Sequence, residues 1–291
     1  MEFAIHQALK IYSGGLGFLA GSHMRSAHDL RQNVIGVGIL WSYGYYDQSR
    51  NEDNTMSVAY RRKSYSFLEE TGIIVKVRIS GADVFVKAYL LKPEIFGTVP
   101  IYLLTTDIPE NDYLSRTITH KLYEAHEETR ISQEIVLGIG GAKVLEEANI
   151  EPEIYHLNEG HAIPVAFHLY SKLGSTEEVR KRMVFTTHTP ETAGNEEHDF
   201  GLLHRMGFFN GLSHESVKEI TQIDGNRFSL TVGALRLSKI ANGVSRLHGD
   251  VANKMWENYP DICPIISITN AQNKKFWVDK PLQNALDEYD D

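Results

Sequence analysis

The chain contains one cysteine, Cys263, among its 291 residues, and it has no long hydrophobic run. A single cysteine excludes an extracellular scaffold that is stabilised by internal disulfides. The purely apolar stretches are far shorter than the ~20 residues that a membrane-spanning helix needs. Residues 1–10 show no basic region followed by an apolar core, so we expect neither a signal peptide nor a membrane partner.

Positive charge is also scarce. The sequence has 29 Lys and Arg against 38 Asp and Glu, for a net charge of −9, and it has no run rich in Lys or Arg. A nucleic-acid partner is therefore not expected. Hydrophobic residues make up 42% of the chain, which is typical of a globular protein of one large domain or two small ones. We expect a cytoplasmic location.

Strand-like and helix-periodic segments alternate along most of the chain. Apolar runs predict strands at 1–5, 34–41, 99–105, 154–157, 183–187, 243–247 and 264–269. A helical period predicts helices at 18–30, 130–148, 160–173, 176–182, 200–208, 213–220, 229–240 and 248–259. This alternation predicts an α/β fold with a Rossmann-like, doubly wound parallel sheet.

A different pattern occupies residues 42–106. Alternating apolar and polar residues at 73–79 and 84–91 flank a turn at 80–83, which predicts a β-hairpin. We therefore expect an inserted β-rich subdomain over about 42–106.

Polar residues follow three of the predicted strands, at the positions where such folds bind ligands. The segments are Asn158-Glu159-Gly160-His161, His188-Thr189-Pro190 and His248-Gly249-Asp250. Imidazoles donate and accept hydrogen bonds and carboxylates accept them, which suits a polyhydroxylated or anionic ligand. Other interpretations stay open: His248 can cap or pack on the next helix, and Glu159 can favour a helix start. An apolar strand that runs directly into His188 and a proline favours a site role there.

Two glycine clusters have different predicted roles. Gly14, Gly15 and Gly17 precede a helix, where backbone N–H groups can bind an anion, but their spacing is neither a dinucleotide fingerprint nor a Walker loop. Gly138, Gly140 and Gly141 lie within a helical pattern, which predicts close helix packing.

Thirteen histidines raise the question of a metal site. There is no HExxH motif, and His126-Glu127-Glu128 lacks a second histidine at a suitable offset. His161 and His168 are seven residues apart, and such a pair is usually a core or surface feature. We therefore predict no metal site.

Several strings together resemble the α-glucan phosphorylases, the family of glycogen, starch and maltodextrin phosphorylases, and most closely their short bacterial and archaeal members. The strings occur in the family's order over nearly the whole chain: SGGLGFLAG (13–21), VIGVGILWSYGYYDQ (34–48), PIYLLTTDIPEND (100–112), RISQEIVLGIGGAKVL (130–145), YHLNEGHAIPVAF (155–167), VFTTHTPETAG (184–194), LRLSKIANGVSRLHGDVANKMW (235–256) and ITN (268–270).

The resemblance implies the N-terminal, substrate-side domain of a glycosyltransferase of the GT-B type, spanning 1–291. Such enzymes use phosphate to cleave α-1,4-glucan and release glucose 1-phosphate. Their pyridoxal phosphate is held by a lysine of the C-terminal domain, which lies beyond Asp291, so no residue here is expected to attach the cofactor. Phosphate, α-1,4-glucan and a separate C-terminal half are the expected partners.

The resemblance also assigns residues. His188 matches a histidine that contacts the reacting glucose and is the catalytic candidate. The substrate-binding candidates match the family's glycine loop and polar residues near the acceptor sugar; they are Gly14, Gly15, Leu16, Gly17, Glu159 and His161. Arg130 and Glu134 match a buried pair behind a mobile active-site loop.

The sequence departs from the family pattern at Glu124-Ala125-His126, in the gating loop, and at Ala271, after Asn270. Because the cofactor lysine is expected outside residues 1–291, we expect the chain to be inactive alone. The alternatives are a glucan-binding or regulatory module, a glycogen-synthase-like transferase fragment, which Ser13 before the glycines disfavours, and a hydrolase that pairs Glu159 with Asp250.

Overall fold

The computed structural model describes residues 2–191, 194–223 and 225–289. Strands and helices alternate along the described chain. The strands are β1 (Gly36–Ile39), β2 (Asp47–Arg50), β3 (Met56–Ala59), β4 (Glu69–Ile79), β5 (Ala82–Leu91), β6 (Ile101–Thr105), β7 (Tyr155–Asn158), β8 (Met183–Thr187), β9 (Glu197–Asp199), β10 (Arg227–Ser229), β11 (Ile240–Gly243) and β12 (Ile265–Ser267).

The helices are α1 (Gly15–Asp29), α2 (Pro93–Phe96), α3 (Tyr113–Thr117), α4 (Glu127–Ile135), α5 (Gly141–Glu147), α6 (Pro164–Leu173), α7 (Thr176–Lys181), α8 (Phe200–Met206), α9 (His214–Thr221), α10 (Leu230–Leu237), α11 (Arg246–Trp256), α12 (Lys274–Trp277) and α13 (Lys280–Tyr289). A π-helical turn at Val136–Gly140 joins α4 to α5, and a 3₁₀ turn at Gly160–Ala162 precedes α6. No helix in the described ranges is both long enough and apolar enough to cross a membrane.

One sheet is parallel throughout and has the strand order β12-β11-β8-β7. Met183 and Phe185 lie on one face of β8 and are fully buried, and Thr186 on the other face is also buried, as expected for a strand covered on both faces. Because the strands are parallel, their carboxyl ends lie along the same edge of the sheet. The predicted mixed α/β class with parallel strands is therefore confirmed.

The second four-stranded sheet has the order β1-β6-β5-β4. Strands β1 and β6 are parallel, whereas β5 is antiparallel to both of its neighbours. The predicted hairpin is thus confirmed, but it extends the sheet of β1 and β6. Strands β2 and β3 form a separate antiparallel ribbon that the sequence did not predict. The strands within 42–106 are therefore divided between two sheets.

Helices cover both faces of the second sheet. A Cβ atom at Gly36 of β1 would lie 3.3 Å from the Met24 sulfur of α1. A Cβ atom at Gly141 of α5 would lie 3.0 Å from Val37, the next residue of β1. Since successive residues of a strand point to opposite faces, α1 and α5 lie on opposite sides.

Two predicted strands are wrong. Residues 2–12, all within the described ranges, form no strand; their apolar side chains, such as Ile5 and Leu9, are buried without pairing. The strand predicted at 243–247 ends at Gly243, because the Ser245 side chain accepts a hydrogen bond from the His248 N–H and begins α11 early. His248 therefore lies inside a helix rather than directly after a strand.

The predicted packing role of Gly138 is confirmed, and it supplies a matched test. A Cβ atom at Gly138 would lie 2.8 Å from the Ala162 carbonyl oxygen and 2.8 Å from the Val165 nitrogen, whereas one at Gly140 would meet nothing closer than 3.6 Å. We expect Gly138→Ala to lower the free energy of unfolding by about 1–3 kcal/mol. Gly140→Ala should leave it unchanged or raise it by up to ~1 kcal/mol. Urea denaturation checks this, and equal effects of the two substitutions would contradict it.

Candidate functional site

The carboxyl edge of the parallel sheet brings together residues from the ends of β7 and β8. The His188 backbone N–H donates to Glu159 Oε1 at 2.5 Å, and the Thr189 hydroxyl donates to the same oxygen at 3.2 Å. The His188 ring nitrogen Nε2 lies 2.5 Å from Asn158 Oδ1. Two segments that are 30 residues apart thus form one polar constellation at the edge where the fold predicts a ligand.

Glu159 has a backbone conformation that is rare for its type. Its φ of 65° and ψ of 175° fall in a region that is essentially limited to glycine and costs a non-glycine residue about 1–3 kcal/mol. Its side chain is buried, and burial raises the pKa of the carboxyl group, although the hydrogen bond from the His188 N–H opposes this. A strained, buried acid in the turn after a strand is typical of a binding or catalytic site.

Burial keeps the His188 ring neutral, and the hydrogen bond to Asn158 determines which ring nitrogen carries the proton. Burial lowers the pKa of His188 to about 4, with smaller contributions from His248 and His156. The ring is therefore neutral near pH 7. Because the Asn158 oxygen can only accept, Nε2 carries the proton and Nδ1 is an acceptor. Nδ1 can accept a hydrogen bond from a ligand hydroxyl.

A second layer of hydrogen bonds supports this edge from within the sheet. The Thr186 hydroxyl donates to Asn242 Oδ1 at 2.7 Å and lies 2.7 Å from His156 Nε2. These contacts join β7, β8 and β11 just below the constellation. They fix the spacing of the strand ends from which Glu159 and His188 emerge.

The glycine loop already holds an anionic group of the chain itself. The Ser13 and Gly14 N–H groups donate to Glu2 Oε2 at 2.5 and 3.4 Å, and the Tyr123 hydroxyl donates to Glu2 Oε1. Cβ atoms at Gly14 and Gly15 would meet nothing within 4 Å, whereas one at Gly17 would lie 3.0 Å from Glu2. Gly17 thus serves packing, and Gly14 and Gly15 leave the backbone open to a ligand.

A polar cleft of about 390 Å³ adjoins this loop. Its lining is rich in tyrosine, whose rings offer an apolar face and a polar hydroxyl and so suit a sugar. The lining residues are Lys10, Tyr12, Ser13, Tyr43, Tyr45, Tyr46, Asp47, Gln48 and Lys63. None of the hydrogen bonds among the described residues joins the glycine loop directly to Glu159 or His188.

Three other histidines that the sequence analysis considered have different environments. His161 places Nδ1 3.3 Å from Glu134 Oε1, in a buried polar cluster behind the edge. His248 Nδ1 accepts from the Val244 N–H at 3.1 Å, which is the capping role that the sequence left open. His168 pairs with Glu146 at 2.7 Å and is a buried structural residue.

The described residues do not form the predicted Arg130–Glu134 pair. Arg130 Nε lies 3.1 Å from Glu196 Oε1, and Glu134 instead approaches His161. Burial and the nearby Glu196 carboxylate raise the pKa of Glu134 well above its ordinary value. Both residues thus belong to one cluster whose other members, Glu196 and His198, the sequence analysis missed.

Comparisons with known proteins find relatives that match nearly the whole chain. No protein-family model matches the chain. An uncharacterized protein of Methanocaldococcus jannaschii is 52% identical over the whole of this chain and 55% of its own length. Maltodextrin phosphorylase of Thermococcus litoralis is 33% identical over 99% of this chain and 37% of its own length. Glycogen phosphorylase of Mycobacterium tuberculosis is 34% identical over 95% of this chain and 36% of its own length.

The predicted resemblance is therefore confirmed: over nearly its whole length, the chain is homologous to the α-glucan phosphorylases. The chain spans about half or less of the length of these relatives.

Proposed function

We propose that residues 1–291 are the substrate-side, GT-B-type domain of an α-1,4-glucan phosphorylase. The observation that carries the proposal is the pairing of Glu159 with the His188 segment at the carboxyl edge of the parallel sheet. The homology to proteins named maltodextrin and glycogen phosphorylase supports α-1,4-glucan as the ligand.

The site residues would act on the glucan in separate ways. His188 accepts a sugar hydroxyl hydrogen bond at Nδ1, while Asn158 holds the ring in the required orientation. Glu159 fixes the backbone of the His188 segment through its carboxylate. The open backbone at Gly14 and Gly15 and the tyrosines of the adjoining cleft provide further contacts to the sugar or to phosphate.

A Schiff base with the family's pyridoxal phosphate needs a lysine amine at the site. Among the described residues, no lysine forms a hydrogen bond or ion pair with Asn158, Glu159 or His188, and Lys172 and Lys181, for example, pair with surface carboxylates. We therefore propose that the cofactor is held by a separate C-terminal domain, and we assign no step of the reaction to it here.

A hydrolase is less well supported, because the Glu159 carboxylate is engaged by the main chain and Asp250 is an exposed residue of α11. The alternative function, a glucan-binding module, would use the same edge of the sheet. It differs from the proposed function only in that no second domain completes a catalytic site.

The proposal is tested by titrating the purified chain with maltoheptaose in a calorimeter and assaying the same mixture, with phosphate and pyridoxal phosphate, for glucose 1-phosphate. We expect saturable binding of maltoheptaose, no binding of cellohexaose, and no glucose 1-phosphate, because the cofactor domain is needed for the reaction. Absence of maltoheptaose binding would contradict the proposed site. Robust release of glucose 1-phosphate would contradict the proposal that a separate C-terminal domain holds the cofactor. Cleavage of the glucan without phosphate would favour a hydrolase.

A further inference from the structure

Four side chains converge behind the turn that carries Glu159. Glu134 of α4, His161 of the 3₁₀ turn and Glu196 place one ligand atom each within 4.8 Å of one another. His161 Nδ1 lies 3.3 Å from Glu134 Oε1 and 3.9 Å from Glu196 Oε2. His198 of β9 adds Nε2 at 3.8 Å from Glu196 Oε2.

Three atoms of this cluster are buried without a hydrogen-bond partner among the described residues: Glu134 Oε2, Glu196 Oε2 and His198 Nε2. The Glu134 side chain is fully buried and that of His198 is 1% exposed. Buried polar atoms nearly always have partners, so three orphaned atoms in one cluster need an explanation.

Neighbouring residues hold these side chains in the way that residues around a metal site hold the metal ligands. Glu127 Oε1 lies 2.7 Å from His198 Nδ1, so Nδ1 is the protonated nitrogen and Nε2 is directed at the cluster. A carboxylate on the far nitrogen is the usual support of a metal-bound histidine. Arg130 engages Glu196 Oε1 and leaves Oε2 open.

We propose that Glu134, His161, Glu196 and His198 bind one divalent transition-metal ion. Two imidazoles and two carboxylates are a donor set that suits zinc and its neighbours. Ligand atoms that are bound at about 2.0–2.2 Å in a tetrahedron lie roughly 3.4 Å apart. Three of the pairwise distances, at 3.3, 3.9 and 3.8 Å, are close to that value. The side chains of His161 and Glu196, which are 30% and 29% exposed, provide the entry path.

The ion would add a link between three elements that hydrogen bonds and the Arg130–Glu196 ion pair already connect. It would link α4, the turn after β7 and the segment leading into β9. His161 is two residues from Glu159, so the ion would hold the strained turn in place without touching the glucan. The sequence pattern does not predict this site, because its ligands come from separate segments; His161 and Glu134, for example, are 27 residues apart.

The test is titration of the chain, first dialysed against a chelator, with Zn²⁺ alone. We expect one equivalent to bind, to raise the melting temperature and to release protons, because bound histidine must be deprotonated. Co²⁺ should give the visible absorption of a low-coordinate site. Glu127→Gln should weaken Zn²⁺ binding roughly 10–100-fold, while the exposed neighbour variant Glu128→Gln should not.

His198→Asn should weaken Zn²⁺ binding more than Glu127→Gln does, and Zn²⁺ should no longer raise its melting temperature. Circular dichroism should show that this variant is folded. Absence of stoichiometric binding to the native chain would overturn the proposal. So would unchanged binding in folded His198→Asn, or equal losses in Glu127→Gln and Glu128→Gln. The readouts are independent of glucan binding, so this proposal can fail while the proposed function stands.

Discussion

Replacing Glu159 by alanine lowers the free energy of unfolding by about 1–3 kcal/mol more than replacing it by glycine. Both substitutions remove the carboxylate that accepts the His188 N–H, so that loss is common to both. They differ only in the backbone, because alanine retains the cost of φ 65° and ψ 175° and glycine does not. The comparison therefore isolates the strain at this turn.

Urea denaturation of the two variants measures the difference, and Glu159→Gln, which retains an acceptor oxygen, is the control for the lost hydrogen bonds. We expect Glu159→Gly to be close to wild type in stability, because relief of strain offsets the lost hydrogen bonds. Both Glu159→Gly and Glu159→Ala should bind maltoheptaose weakly, since the His188 segment is no longer held. Equal stability of the alanine and glycine variants would show that no strain is stored at this position.

Replacing His188 by alanine weakens maltoheptaose binding about tenfold, the effect of losing roughly 1.4 kcal/mol of hydrogen bonding. Calorimetry measures the loss, and His28→Ala, an exposed histidine of α1, is the matched control with no expected effect. An unchanged affinity in His188→Ala would contradict the role of this ring.

The affinity of the wild-type chain should depend little on pH between about 6 and 8, because the pKa of His188 is lowered by burial to about 4 from its usual 6.5. The same lowered pKa sets the direction in which the free energy of unfolding changes with pH. The unfolded chain takes up a proton near pH 6.5 and the folded chain does so only near pH 4, so stability is lost as the pH falls between these values.

Asn158→Asp offers a second test of the same ring. The new carboxylate still accepts from Nε2, but its negative charge raises the pKa of His188. Binding should then become pH-dependent close to neutrality, where the wild type is constant. A wild-type affinity that already changes near pH 6.5 would contradict the assigned neutral state.

Much of the fold follows from local sequence pattern. The strand over 183–187 and the helix over 176–182 could be predicted because their apolar periods are clear and their ends carry turn residues. Close packing could be predicted for the glycines within the helical period at 138–141, but the pattern does not distinguish Gly138, which has backbone neighbours at 2.8 Å from a Cβ atom, from Gly140, which has none closer than 3.6 Å. The strand at 243–247 was misplaced because the capping serine, Ser245, lies inside an apolar run and competes with the strand pattern.

The site could be located only in outline. The strand-end rule placed Glu159 and His188 at one edge, but it contains no information on ring orientation or on the strained backbone of Glu159. Contacts between distant segments could not be predicted either. Examples are the hydrogen bond from the glycine loop to Glu2 and the contact between Glu127 and His198. Such pairs depend on the packing of whole elements, and no local spacing encodes them.

The claim that glucan binds at the carboxyl edge of the parallel sheet is tested most directly by NMR of the histidine side chains during a maltoheptaose titration. We predict that His188 Nδ1 shifts with saturation, as expected for an acceptor that gains a hydrogen bond, while His28 and His204 do not change. A saturable titration in which His188 is unaffected would contradict the claim. It would place the ligand elsewhere, for example in the cavity between Tyr43, Tyr60 and Tyr113.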